Sequence, residues 1–445
     1  MKKNRHFKAM HSIAIIAILA IIGFSFIACD EKTDDNETTV DTASFAGTWK
    51  ASGERSIVFT GNTFNYKVNN VTQYSGTFSA SGSTITFNES NLGTASGNFT
   101  LTATTLTLSN HTWDNSVNGT YTKEGGSESV GGLGNKVYMA GYEGSSARAM
   151  LWNGDISQQL SDEGSRANSV FVSGSDVYAV GNEYNYTAGG NRAILWKNNT
   201  AQMLSTTRSN ANSVYVSGSD VYAVGEVFEH LVGDKATVWK NGTAQTLSNT
   251  SSRAYSIFVS GSNVYAAGFV GSTSEYDYGN RATLWVNGTA QTLSTNPSNA
   301  NSIYVSGSDV YVAGVVYVDG NFRATLWKNG IAQTLNNTPS IAYNVFISGS
   351  DVYVAGLSAS SITLSNNSIE RSSTRAMLWK NDTEQTISTP MSEARSVFVL
   401  GSDVYVGGFG QTNVGISRFA KIWKNGTEYI IGNASSYIHS VFVLP

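Results

Sequence analysis

The sequence predicts an all-β protein: a seven-bladed β-propeller closed by its C-terminal strand, preceded by a small antiparallel β barrel or sandwich. Three observations predict it. From residue 136 an Ala-x-(Leu/Val/Ile)-Trp motif recurs, ending at Trp152, Trp196, Trp239, Trp285, Trp327, Trp379 and Trp423, with spacings of 44, 43, 46, 42, 52 and 44 residues. Each unit of that length reads as four short strands, which is the signature of a propeller blade. The units are also out of phase with the ends of the region. The first opens at a second strand, Lys136 to Gly141, while Ser440-Val441-Phe442-Val443 is a first strand without a second. Pairing those two closes the ring and removes both sheet edges.

Composition narrows the class before any motif does. Of 445 residues only 13% are charged, Gly numbers 44, Pro 4 and Cys 1; a typical charged fraction is about 25%. A coiled coil, a charge-rich disordered chain, a disulfide scaffold and a multi-cysteine metal site are thereby excluded. The formal net charge is −4. Four basic residues and no acidic ones precede Cys29, so without that segment 24 basic residues face 32 acidic ones, a net charge of −8. Neither value offers the basic footprint of a nucleic-acid partner.

Residues 1–28 have secretory-signal grammar. Lys2, Lys3, Arg5 and Lys8 give a cationic start, Ile13 to Ile27 an apolar run, and Ala28 a small residue before Cys29. The run Phe26-Ile27-Ala28-Cys29 resembles the lipobox of bacterial lipoproteins, with Phe26 where Leu is usual. The resemblance implies cleavage before Cys29 and acylation of its sulfur and its new amino group. That makes Cys29 an anchor in a membrane of the bacterial cell envelope rather than a nucleophile. Asp30 resembles an inner-membrane retention signal of some bacteria, and the leaflet stays open. The other reading is an uncleaved anchor, for which the run is short against the roughly 20 residues of a span. Residues 29–42 are acidic and lack apolar periodicity, as a flexible tether would.

Residues 43–124 alternate with period two between Gly, Asn and Ser turns, as in Ser56 to Phe59, Thr63 to Val68 and Gly119 to Lys123. This predicts an antiparallel meander closed as a small barrel or sandwich. The Gly47-Thr48-Trp49 opening and repeated Gly-Thr-aromatic strands resemble lipocalin-like domains of bacterial lipoproteins. Such a barrel either holds a small apolar ligand or is filled by its own side chains, and filling is expected at this size. Trp49 and Trp113 are expected in its core. Residues 125–135 form a Gly/Ser linker.

Residues 136–445 carry the blades. In one unit, strand a is Ser169 to Val172, strand b Val177 to Gly181, strand c Arg192 to Trp196 and strand d Thr200 to Leu204. Strands a and b are almost continuously apolar, as expected of a sheet covered on both faces. Strand d alternates, as an outer strand should. The repeats lack the marks of WD and kelch units. They resemble the Val-Tyr-Val-Ala-Gly…Trp-Lys-Asn-Gly repeats of secreted bacterial proteins, which implies the fold and no activity.

Alternating strand direction puts the short a–b and c–d turns on one face of the ring and the long b–c and d–a loops on the other. Binding is usually built on loops held by a rigid scaffold. The candidates there are Tyr184, Tyr186, Glu229, His230, Tyr276, Asp277, Tyr278, Tyr317, Asp319 and the 357–374 loop. Their Tyr and Asp suit a polar ligand such as a glycan or peptide, and ordinary solvated loops have the same composition. A basic residue stands four places before six of the marker tryptophans: Arg148, Arg192, Lys235, Arg281, Arg323 and Arg375. The seventh has Phe419 with Arg418 beside it. Such a ring either holds an anion through bidentate bonds or, as its repetition favours, satisfies carbonyls and carboxylates within the blades. The marker tryptophans are expected to wedge between blades. The Asp residues of the a–b turns (Asp176, Asp220, Asp309, Asp351 and Asp403) are expected to bond their own turn backbone.

No catalytic residue is assigned. His111, His230 and His439 lie in different units, and no nucleophile elbow, zincin motif or phosphate-binding loop occurs. No metal or cofactor is expected. The expectation is a lipid-anchored, non-enzymatic envelope protein whose propeller is a binding platform for protein or glycan. A polysaccharide-acting propeller hydrolase or lyase, and a structural spacer, are the alternatives.

Overall fold

The computed structural model describes residue 45 and residues 47–445 apart from segments 52–54, 61, 70, 82, 90–92, 102–104, 111–116, 124–132, 134–135, 155, 272–277, 366–367, 389–390 and 412–416. The signal segment, Cys29, the tether, His111, Trp113, Tyr276 and Asp277 lie outside the described residues, as does most of the linker.

Eight antiparallel strands form the first unit: β1 (Gly47–Ala51), β2 (Arg55–Thr60), β3 (Thr63–Val68), β4 (Val71–Ser81), β5 (Thr84–Glu89), β6 (Gly93–Leu101), β7 (Thr105–Ser109) and β8 (Gly119–Lys123). Each pairs with the next, and β1 returns to β8 through Trp49 opposite Lys123 and Lys50 opposite Thr122, closing a barrel. Alternation decides what is inside. In β3, Phe64 and Tyr66 are buried while Thr63 is exposed. The interior is filled with rings: Phe45 lies 5.5, 5.3 and 5.2 Å from Phe59, Phe78 and Phe99. Buried polar tips are satisfied, Trp49 Nε1 donating to the Phe45 carbonyl and the Tyr121 hydroxyl to the Val117 carbonyl, both at 2.7 Å. An eight-stranded barrel is just wide enough for side chains to fill, and these fill it.

From Val137 the chain forms seven four-stranded antiparallel sheets. Blade 2 is typical, with strand a at Ser165–Ser173, b at Asp176–Asn185, c at Gly190–Lys197 and d at Thr200–Met203. Blade 1 takes strands b to d from Val137–Glu143, Arg148–Asn153 and Ile156–Glu163, and its strand a is Tyr437–Val443. Val441, Phe442 and Val443 of that strand lie opposite Met139, Tyr138 and Val137, as the phase of the repeats predicts.

Strand a is longer than its apolar stretch. Its polar first half, Ser165-Arg166-Ala167-Asn168, is also strand, with a β-bulge between Ala167 and Ser169. The bulge recurs in all seven blades. It explains the glycine ending each Val-Tyr-Ala-Val-Gly run: a Cβ on Gly181 would stand 1.9 Å from the Arg166 carbonyl oxygen. Strand d is more exposed than an alternating strand, with every residue of Thr200–Met203 open to solvent.

Three seven-membered sets join the blades. The serine opening each strand a accepts the backbone N–H of the motif alanine in the preceding blade, as in Ala193 to Ser209 Oγ at 3.0 Å and Ala149 to Ser165 Oγ at 2.8 Å. The remaining five junctions repeat it. Strand a is the inner edge of its sheet, so some N–H groups point away from strand b and need another acceptor. Val170 N–H donates to Ser440 Oγ at 3.2 Å, Val214 to Ser169 at 3.3 Å and Val441 to Ser396 at 3.1 Å. The other junctions close the circle, with Asn344 replacing serine once. Phe171, Tyr215, Phe258, Tyr304, Phe346, Phe398 and Phe442 form a ring of aromatics in which each touches the next, centroids 4.7 to 5.1 Å apart.

The marker tryptophans are all at most 1% exposed. Each packs into its preceding blade, Trp196 against Leu151 and Ala149, Trp239 against Leu195 and Tyr178.

Candidate functional site

The short-turn face is built from repeated parts. Asn198, Asn241, Asn287, Asn329, Asn381 and Asn425 all have φ between 47° and 52°. These are the left-handed residues that a two-residue hairpin turn requires. The a–b turn carries its glycine at the first central position, Gly174 at φ 60°. The turn aspartates do not follow the expectation that they bond their own turn backbone, and reach across to the c–d turn instead. Asp176 Oδ1 accepts from Asn198 Nδ2 at 2.7 Å and Oδ2 meets Lys197 Nζ at 2.8 Å, while Asn198 Oδ1 accepts the Val177 N–H at 2.8 Å. The Lys197 ammonium thus reaches both the carboxylate and the Tyr178 ring, 5.3 Å away. The same clamp stands at Asp220, Asp309, Asp351 and Asp403. Lysine and asparagine together hold all five carboxyls below their ordinary range. In blade 4, Asn263 and Val286 replace the charged pair.

The long-loop face lacks this uniformity. The six basic residues at the start of strand c do not converge. Arg148 pairs with Glu163 at 2.7 Å, Lys235 pairs with Glu229, Arg281 donates to the carbonyls of Tyr278 and Asn280, and Arg323 to that of Asn337. Arg375 is exposed and Arg192 half-buried. Of the loop candidates, Tyr184 and Tyr186 meet edge to face at 5.0 Å, Tyr186 being 89% exposed. Tyr278 and Tyr317 do the same at 4.9 Å. His230 is exposed, and Asp319 sits at φ 50° in its turn, its carbonyl accepting from Asn321. The 357–374 loop folds into an extra hairpin, Ser361–Ser365 with Ser368–Ser372, whose Ile362 packs on Phe322 and Leu357.

The richest constellation on this face was not among the sequence candidates. A cavity of about 620 Å³ is lined by residues of blades 6, 7, 1 and 2, among them Tyr142, Arg166, Arg371, Glu393, Arg395, Arg418 and His439. Glu393, buried, accepts from Arg371 at 3.2 Å and from Arg395. Burial pushes its carboxyl up, but the Arg395 and Arg371 guanidiniums more than reverse this and hold it below its ordinary value. Arg395 lies 4.0 Å from the Tyr343 ring centroid and Arg166 4.8 Å from that of Tyr142, which stacks on Tyr437 at 4.5 Å. Burial pushes the Tyr142 hydroxyl up to about 12, opposed by Arg166. His439 meets Tyr142 edge to face, and its Nδ1 is 3.3 Å from Asn168 Oδ1. Burial, reinforced by the Arg395 and Arg166 charges, lowers the His439 pKa to about 3, so the imidazole is neutral near pH 7.

Blades 3 and 4 hold a second charged cluster, and it is internally satisfied. Buried Asp234 accepts Arg253 Nη2 at 2.6 Å and Arg208 at 3.4 Å. Buried Glu226 accepts Asn210 at 2.7 Å and Asn212 at 2.8 Å, and burial pushes its carboxyl up. Among the described residues no group of three His, Cys, Asp or Glu side chains is placed to hold a metal ion.

No family model matches the sequence, and no curated protein matches it. Solved structures do. An acylaminoacyl peptidase of Pyrococcus horikoshii is similar over 67% of this chain and 51% of its own, at 13% identity and a TM-score of 0.42. The β-propeller domain of the Trilobed protease of Pyrococcus furiosus is similar over 68% of this chain and 95% of its own, at 11% identity and 0.41. TolB of Acinetobacter baumannii is similar over 68% and 82%, at 10% identity and 0.38. The likeness is one of fold. The chain thus spans about half the length of the peptidase.

The pocket had a sequence signal after all. Each strand a begins Ser-x-Ala-x-Ser or a close variant, and the two x positions change from blade to blade. They read Arg166 and Asn168, Asn210 and Asn212, Arg253 and Tyr255, Asn299 and Asn301, Ile341 and Tyr343, Glu393 and Arg395. The strand that completes blade 1 supplies Tyr437 at the first position and His439 at the second, with Ile438 in place of the alanine. Repetition fails at the positions from which Arg166, Glu393, Arg395, Tyr437 and His439 line the cavity.

Proposed function

We propose that this chain is a lipid-anchored bacterial envelope protein whose propeller binds a ligand at its long-loop face and performs no chemistry there. One observation carries the reading: on a scaffold whose junction contacts recur seven times, the x positions of strand a change between blades, and Arg166, Glu393, Arg395, Tyr437 and His439 at those positions line one open cavity. Packing preserves symmetry in repeat proteins, while a binding site has reason to break it. The exposed tyrosine pairs on the surrounding loops add the rigid amphipathic surface that protein and glycan ligands favour. Attachment through Cys29 rests on the lipobox-like run and on that cysteine being the chain's single one.

A hydrolase or lyase needs a carboxyl free to move a proton or attack. Glu226 and Asp234 are the adjacent pair with the chemistry for it. Both are buried, and asparagine or arginine donors already occupy them, which favours the binding reading over the enzymatic one. The test is a screen of the full chain in detergent against arrayed glycans, peptides and matrix proteins, alongside polysaccharide degradation. Saturable binding with no product is expected. Turnover that disappears in Glu226→Gln overturns the reading. For the anchor, metabolic labelling with a fatty acid is expected in the wild type and absent in Cys29→Ala; equal labelling of both overturns it.

A further inference from the structure

We infer that the pocket between blades 6, 7, 1 and 2 is a site for a small ligand carrying two or more oxyanion groups, carboxylate or phosphate, gripped by Arg166 and Arg418. The inference rests on the binding reading above and specifies its ligand.

Charge comes first. The cavity is lined by four guanidinium groups, Arg166, Arg371, Arg395 and Arg418, against one carboxylate. Glu393 is engaged by Arg371 and Arg395. Arg166 and Arg418 are exposed and have no ion-pair partner among the described residues. Two cations remain in a chain whose net charge is −4. A positive concavity in an acidic protein focuses its field locally and concentrates small anions rather than nucleic acid.

Geometry comes second. Arg166 lies over Tyr142 at 4.8 Å, and Arg418 lies 5.6 Å from the Phe409 centroid with Nη1 3.5 Å from the Tyr437 hydroxyl. A guanidinium resting on an aromatic ring is held in orientation while its N–H edge stays available, the arrangement suited to bidentate recognition of carboxylate or phosphate. The neighbouring His439 is neutral near pH 7, so the positive charge of the cavity comes from its guanidinium groups. A volume of about 620 Å³ is that of a small-molecule site.

The experiment is calorimetric titration of the full chain in detergent with citrate, inorganic pyrophosphate and neutral maltotriose. Citrate or pyrophosphate is expected to bind and maltotriose is not, and the stronger of the two identifies the oxyanion. Arg166→Ala and Arg418→Ala should each weaken binding at least about tenfold and together abolish it, with melting temperatures unchanged because both side chains are exposed. Arg375→Ala, an exposed position at the start of strand c in blade 6 that does not line the cavity, should bind as the wild type does. Arg166→Lys should recover part of the loss; no recovery counts against a charge-based grip. The inference is overturned if neither anion binds the wild type, or if the double variant binds either one unchanged. Ligands found on the array through the loop tyrosines, with no response to either anion, would sink the inference and leave the binding reading standing.

Discussion

The two faces of the propeller are made from the same strands and obey different rules. On the short-turn face, Asp, Lys, Asn and Tyr form one clamp in five blades, down to bond lengths that agree within a few tenths of an ångström. On the long-loop face, the equivalent positions of strand a hold Arg, Asn, Glu, Ile or Tyr according to the blade. Repetition marks what holds the ring together, and its loss marks what the ring presents. The basic residues of strand c illustrate the rule. They repeat in six blades, and the partners found for them lie in their own blade or the loop leading from it.

The division predicts that repeated residues govern stability and unrepeated ones binding. The sharpest test is Trp285→Ala. It removes a fully buried wedge from the junction with blade 3 and should cost about 3–5 kcal/mol in chemical denaturation, the usual range for a core Trp truncation. A loss under about 1 kcal/mol would show that the repeated tryptophans do not govern stability. Ser256→Ala comes next. It strips the acceptor from the Ile303 N–H inside the ring, and leaving such a donor unmet costs about 1–3 kcal/mol. Neither variant should change anion affinity.

A smaller effect concerns acid. The clamp aspartates have folded pKa values below their unfolded ones, so an unfolded chain takes up protons before the folded chain does. Their contribution is complete above the ordinary carboxylate value of about 3.9 and is lost as pH falls through the folded values. In Asp309→Asn, the fall of melting temperature on acidification should therefore be shallower than in the wild type. An identical slope would show the clamp to be electrostatically inert. Smallest of all, Tyr186→Ala on the long-loop face should shift stability by no more than about 0.5 kcal/mol, since the side chain is 89% exposed.

Much of the fold was legible because propellers write their geometry into short-range pattern. Trp spacing counted the blades, and the strand a found at Tyr437–Val443 paired where the phase required. The polar half of strand a was not legible as strand. Ser165-Arg166-Ala167-Asn168 carries one small apolar residue, the buried Ala167, while Ser165 and Asn168 bond the backbones of the preceding and following blades, so no apolar run marks it as strand. The candidate site was obscured for the same reason. Arg166, Glu393, Arg418 and His439 are separated by up to 273 residues in sequence, and only ring closure brings them to one cavity. The loops carry the exposed tyrosines, while the pocket is written in the changing letters of an otherwise constant strand.

Blade 1 also sets a timetable. Its strands b to d are made first among the blades and its strand a, Tyr437–Val443, after the other six. That late strand brings Tyr437 and His439 to a cavity whose Tyr142 and Arg166 were translated nearly 300 residues earlier. During synthesis the chain therefore passes no stage at which a partial ring assembles the whole pocket lining. On the proposed reading, ligand capture would begin only with the last strand in place, and occupancy of the pocket would report that assembly has finished.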